Sequence, residues 1–206
     1  MRFPRATHRN VYVGSKKAGE RVMGSLIRFL EDRLKLRVNQ AKSAVARPWK
    51  RVFLGYSVTV HKESRMKVAS QAVKWFKNNV KERIRQGRGR NMGRFIREDL
   101  NPLLQGWVHY FRLAEVRGVF EELDGWIRRK LRCIVWRQWK RSRTRYRKLL
   151  GRNIEEERSR LSSFNGRGAW WNSGASHMNE AFPKKYFDQC GLVCLLDELL
   201  RLQAVS

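Results

Sequence analysis

The sequence predicts a mainly α-helical protein with a small α+β portion at its N-terminus. Alternation every second residue is confined to the chain before Ser70, and beyond it apolar residues recur at three- and four-residue spacing. The 206 residues include 8 Trp and 10 Phe, and 42 % of side chains are hydrophobic. That supply is enough for a core and excludes a disordered basic tail.

Taken in order, Val11-Tyr12-Val13 reads as a strand ending at Gly14. Ser15 is placed to cap a helix in which Val22, Leu26, Phe29, Leu30 and Leu34 share a face. Leu36-Arg37-Val38 is short and strand-like, and Asn39 and Lys42 mark a turn. Over 52–60, Val52, Leu54, Tyr56, Val58 and Val60 alternate with Gly55, Ser57 and Thr59, as in a half-buried strand. His61–Ser64 is the expected hairpin turn, with Met66-Lys67-Val68 as the return strand. So short a sheet needs neighbours that some 60 residues barely supply.

A helix is expected over 71–86, then a flexible basic turn, Gln86–Arg90, and a short helix from Met92 to Leu100. Asn101-Pro102 reads as the start of the next, because Asn accepts bonds from free amides and Pro loses nothing at the first position. On it Leu103, Leu104, Trp107, Tyr110 and Phe111 form an apolar face. A long helix follows from Gly118 to beyond Arg145, with Phe120, Leu123, Ile127, Leu131 and Ile134 inward. The rest looks like loops around Gly166, Gly168, Gly174 and Pro183, closed by a short helix at 193–202.

The net charge is +28. A compact body this charged repels itself unless a polyanion meets it. Residues 1–66 carry 16 basic and 4 acidic side chains, residues 67–150 carry 23 and 7, and residues 151–206 carry 7 of each. The excess therefore stops near residue 150. These three segments are the expected domains. From Arg128 to Lys148 there are eleven Lys or Arg and no acid.

Arginines grip phosphate with a planar fork. The candidate contacts are Arg88, Arg90, Arg128, Arg129, Arg132, Arg137, Lys140, Arg141, Arg143 and Arg145. A merely solvated face is the bland alternative, and it fits poorly with so long a stretch lacking any acid. Charge by itself does not separate RNA from DNA. Trp107, Tyr110 and Phe111 read as core at their helical spacing, whereas Trp136 and Trp139 suit either core or base stacking.

Other classes find little support. The cations are interleaved with aromatics rather than set opposite a lipid-facing stripe, and no apolar run approaches the roughly 18 residues of a membrane span. Cys133, Cys190 and Cys194 form no disulfide framework, as expected in a reducing cytoplasm. Cys190 and Cys194 with His177 resemble a helix face more than a zinc site, since a second ligand pair is missing. His8, His61 and His109 stand alone, no GxxxxGK[ST] loop occurs, and neither a metal site nor a catalytic residue set can be assembled.

Several runs resemble bacterial group II intron reverse transcriptases. Val11-Tyr12-Val13-Gly14-Ser15, the stretch Leu34–Asn39 with Lys42, and Phe53-Leu54-Gly55-Tyr56 look like the end of the palm. The run from Leu100 to Phe111 is similar to the maturase-specific, or thumb, domain. So is Leu123–Arg132, ending in Trp136-Arg137-Gln138-Trp139-Lys140. The tail Trp170-Trp171-Asn172-Ser173-Gly174-Ala175-Ser176-His177-Met178-Asn179 is similar to the downstream part of these proteins.

The resemblance implies a palm remnant of strand, helix, strand and hairpin, followed by a helical thumb. It also implies that the chain is the C-terminal part of such a protein. It places Lys42 in the palm after the catalytic strand and Phe53, Leu54, Gly55 and Tyr56 in a primer-grip-like hairpin. The implied partner is group II intron RNA, whose folding and splicing the protein assists. A DNA target, an RNA–DNA duplex and a separately encoded N-terminal half are further implied partners. In the complete family a Tyr-x-Asp-Asp turn holds Mg²⁺, but in ungapped register Arg5-Ala6-Thr7-His8 stand there. Thr and His do not replace a hard carboxylate pair. The chain by itself is therefore expected to need no cofactor and not to polymerise, leaving a binding maturase, one part of a split polymerase, or a decayed remnant.

Overall fold

The computed structural model describes residues 10–39, 43–61, 63–87 and 89–205, and the chain divides into two compact units, Met1–Ala69 and Ser70–Ser206. Lys42, Arg88 and the run Arg5–His8 lie outside the described residues. The chain is mainly helical with one small antiparallel sheet, the predicted class.

In the first unit, α1 spans Lys16–Arg28 and Ser15 caps it as expected, its hydroxyl accepting the Ala18 N–H at 3.2 Å. A wider π turn, Phe29–Arg33, continues it. Gly19 is the buried point of α1: a Cβ there would stand 2.7 Å from a methyl of Val45 and 3.3 Å from one of Val13. The expected strands at Val11–Val13 and Leu36–Val38 do not form, because three residues make a strand only beside a partner they can bond to.

The expected strand over 52–60 is also shorter. Leu54 and Gly55 both have positive φ, 50° and 77°, and Phe53 and Tyr56 exchange two 2.9 Å backbone hydrogen bonds across them. This is the two-residue hairpin turn whose twist suits strands, and alternation cannot reveal it because Leu54 keeps the apolar period. β1, Tyr56–Val58, then pairs antiparallel with β2, Met66–Val68, in the register Tyr56↔Val68. The Thr59 N–H donates to the Arg65 carbonyl at 3.0 Å and closes the hairpin near the expected place.

The second unit opens with α2, Ser70–Gln86, and α3, Met92–Phe95. A π turn, Ile96–Leu100, joins α3 to α4, Asn101–Tyr110, so Asn101 starts no new helix. Pro102 explains the wide turn: it donates no N–H, and its ring would collide with the carbonyl four residues back. Freed from capping, the Asn101 side chain donates to the Gly191 carbonyl at 2.7 Å and accepts the Val193 N–H at 3.1 Å.

α5 runs from Gly118 to Gln138, and α6 from Ser142 to Leu150. The single long helix expected here is broken at Trp139–Arg141, where Trp139 takes φ −82° and ψ 73° and Arg141 is extended. Short helices complete the chain: α7 (Glu156–Ser163), α8 (Ala169–Asn172), α9 (Ser176–Ala181), α10 (Lys184–Gln189) and α11 (Leu195–Val205). Residues 151–206 are largely helical, and α8 and α11 pack on α5 while α7 packs on α6, so this segment shares the second unit instead of standing apart.

The core is aromatic and binds α2, α4 and α5 together. Trp107 stacks on Phe76 at 4.4 Å and meets Phe111 and Phe120 at 4.9 and 5.3 Å. Phe120, Leu123, Ile127, Leu131 and Ile134 are buried as predicted. Tyr110, expected on the same face, is exposed instead. Trp136 is 1 % exposed and belongs to the core, while Trp139 is half-buried.

Candidate nucleic-acid interface

The basic stretch from Arg128 to Lys148 follows two helices and the break between them, and this divides its cations into two groups. The first faces inward or lies on rings. Arg132 is 8 % exposed; its Nε donates to the Phe182 carbonyl at 2.9 Å, and burial lowers its pKa to about 10. It is still charged at neutral pH and holds α5 to the segment after α9. Arg129 lies 4.0 Å over the Trp170 ring and donates to the Trp170 carbonyl at 3.1 Å. Lys130 approaches the same ring at 4.3 Å, and burial lowers its pKa. Arg145 lies 4.8 Å over Trp136 while its Nε donates to the Trp139 carbonyl at 2.9 Å. Arg128 is half-buried.

The second group is exposed: Arg137 at the end of α5, Lys140 and Arg141 in the break, and Arg143, Arg147 and Lys148 on α6. None of these six pairs with a carboxylate of the described residues. The contrast with α2–α4 is sharp, because there Arg85, Arg90 and Arg94 pair with Glu82, Asp99 and Glu98 at 2.8–2.9 Å. The expected contact Arg90 is therefore already neutralised by Asp99. A surface whose cations lack internal partners keeps its field for an outside anion.

Between α5, α6 and α10 lies a cleft of about 430 Å³. Trp139, Phe182 and Tyr186 give it apolar walls, and Arg147, Lys148 and Arg152 supply charge. The Arg152 guanidinium lies 4.6 Å over Phe182 and 4.7 Å over Tyr186. This cleft has no signature in the sequence: Phe182 and Tyr186 come from the neutral tail, and only the fold brings them to the basic stretch.

Asp124 is a second functional position with little signature in the sequence. This buried carboxylate accepts the Leu195 N–H at 2.9 Å, the Leu196 N–H at 3.1 Å and the Cys194 thiol at 3.1 Å. It thus caps α11 from 70 residues away, where a helix N-terminus presents free amides and positive potential. The one available signal is an acid set among Leu123 and Ile127 on an otherwise apolar face. Burial, with the neighbouring Asp124 carboxylate, pushes the Cys194 thiol up to about 12.

Cys194 donates to Asp124, while His177 packs 5.5 Å from Trp136. Among the described residues no three His, Cys, Asp or Glu side chains gather as a metal site. Phe53, Leu54, Gly55 and Tyr56 form the tight turn leading into β1. Among the described residues no helix is long and apolar enough to cross a membrane.

His177 is 4 % exposed, and burial, reinforced by Arg158, lowers its pKa to about 4. Unfolded histidine binds its proton near pH 6.5. The folded state therefore gains nothing from protonation until pH falls to about 4, and its stability is full above 6.5 and declines between the two values. That decline is about 3 kcal/mol. Urea unfolding at pH 7 and pH 4.5 is expected to show it, and His177→Gln to flatten it. Equal wild-type and variant pH profiles contradict the assignment.

These features define a helical domain with an uncompensated cationic face. Residues 73–151 match the family model of the group II intron, maturase-specific domain, which covers nearly all of α2 through α6. Residues 73–151 thus carry a group II intron maturase-specific domain, as the resemblance of Leu100–Phe111 and Leu123–Lys140 implies, and this ties them to group II introns and their splicing. No curated protein matches the chain.

Proposed function

We propose that this protein binds structured group II intron RNA through the exposed cations of α5 and α6 and assists its folding and splicing without itself transferring phosphoryl groups. The observation that carries this reading is the set Arg137, Lys140, Arg141, Arg143, Arg147 and Lys148, free of carboxylates inside the matched domain. A folded RNA concentrates phosphate on its surface, and cations with no internal partner release its counterions on contact. RNA–DNA duplex and target DNA carry the same backbone charge and compete for the same face. Three unpaired cysteines suit the reducing cytoplasm.

A second reading, that the chain completes a split RNA-directed DNA polymerase, draws on the first unit. There Val11, Tyr12, Leu26, Phe29, Leu34 and Leu36 are all exposed. So many large apolar side chains suit burial under another polypeptide, here an N-terminal half carrying the Asp pair. A self-splicing assay on a group II intron precursor, with and without the protein, separates the readings. Faster or lower-Mg²⁺ splicing with the protein alone supports the first. No effect on splicing, with primer extension once an N-terminal half is added, replaces it with the second.

A further inference from the structure

The cleft between α5, α6 and α10 invites a closer assignment, because its walls and its charge come from different parts of the chain. Trp139 stands at the helix break, Arg147 and Lys148 in the last turn of α6, Arg152 just beyond it, and Tyr186 on α10. No Asp or Glu lines it. Its volume, about 430 Å³, falls within the roughly 300–1,000 Å³ of small-ligand sites.

We propose that this cleft holds one unpaired nucleotide of the bound strand, its base against Trp139 and Tyr186 and its phosphate among Arg147, Lys148 and Arg152. The proposal rests on the RNA-binding reading and names the part of the strand that reaches this site. Aromatic faces at a cleft wall are reached by a splayed base, since a base inside a duplex has its faces covered by its neighbours. The guanidinium of Arg152, lying over two rings, is kept flat, and a stacked guanidinium keeps its N–H edge for phosphate.

One effect opposes an anion here. α5 and α6 both end at the cleft, and a helix C-terminus carries roughly half a negative charge. Two of them amount to about one negative charge, against three cations. The last turn of α6 is also partly capped, with Gly151 N–H donating to Arg147 O at 3.0 Å and Arg152 N–H to Leu149 O at 2.9 Å. The cations prevail.

The test uses the full chain and a short oligouridine carrying one 4-thiouridine, photocrosslinked and mapped by peptide mass, alongside filter binding of the same oligomer single-stranded and as a duplex. Adducts are expected on Trp139 or Tyr186, with the single strand bound more tightly than the duplex. Tyr186→Ala is expected to weaken single-strand binding by about five- to a hundredfold, and Tyr186→Phe to restore it. The pair R147Q/K148Q, both exposed and outside the ion pairs of the described residues, is expected to lose crosslinking with an unchanged circular dichroism spectrum. Adducts confined to other segments, or equal affinity for strand and duplex in wild type and Tyr186→Ala, overturn the cleft assignment while leaving general RNA binding intact. A wild-type protein that ignores RNA at low ionic strength overturns both, and so tells the two failures apart.

Discussion

Replacing Asp124 with alanine is expected to lower the stability of the helical unit by about 2–4 kcal/mol. The carboxylate accepts two backbone N–H groups of the α11 N-terminus and the Cys194 thiol, all from a buried position on α5. Alanine leaves those amides without acceptors in a water-poor place, where Leu195 itself is buried. The other polar ties of α11 lie on its exposed side, among them Lys184 of α10 paired with Asp197 at 3.3 Å. His109 and Glu198 meet at 3.2 Å, and Gln203 donates to the Arg112 and Ala114 carbonyls at 3.0 and 2.9 Å. The variant should therefore release the end of the chain first, with protease cleavage between α10 and α11 ahead of global unfolding. Asp124→Asn keeps one acceptor and should lie between the two. A urea midpoint unmoved in Asp124→Ala removes the clamp from the account.

RNA affinity is expected to fall by about 10³–10⁵ between 50 and 200 mM salt if six to ten phosphates are contacted. The six exposed cations without carboxylate partners give the lower end of that range, and Arg152, exposed at the cleft, is positioned to extend it. Surface ion pairs such as Arg94–Glu98 should contribute little, because each cation already has its neutralising partner. Equilibrium binding at several salt concentrations yields the slope. A slope near zero means the contact is not with phosphate.

The sequence showed the helices of the second unit and their buried faces well, because the spacing of Phe120, Leu123, Ile127 and Leu131 reports a face directly. It showed the site less well. Eleven cations without an acid read as one helical surface, yet Trp139 breaks the helix and Arg132 turns inward to the Phe182 carbonyl. The inward turn of Arg132 has no local signature, because its partner lies 50 positions away. Arg132 is consequently a poor choice for neutralisation, since a variant losing it would lose packing with it. The same reason hid Asp124 and the cleft, whose partners lie in the neutral tail. In the first unit, alternation over 52–60 concealed a tight turn, because the pattern records which face a residue takes and not the sign of its φ.

The most direct test of the central claim compares salt slopes of the wild type and the variant R137Q/K140Q/R141Q/R143Q on group II intron RNA. All four side chains are exposed and free of carboxylates, so the fold and the thermal midpoint should be unchanged. Each lost phosphate contact reduces the slope by about 0.7–0.9, and the variant should therefore be flatter by roughly 3. Parallel lines for the two proteins would show that the α5–α6 cations do not carry the interaction.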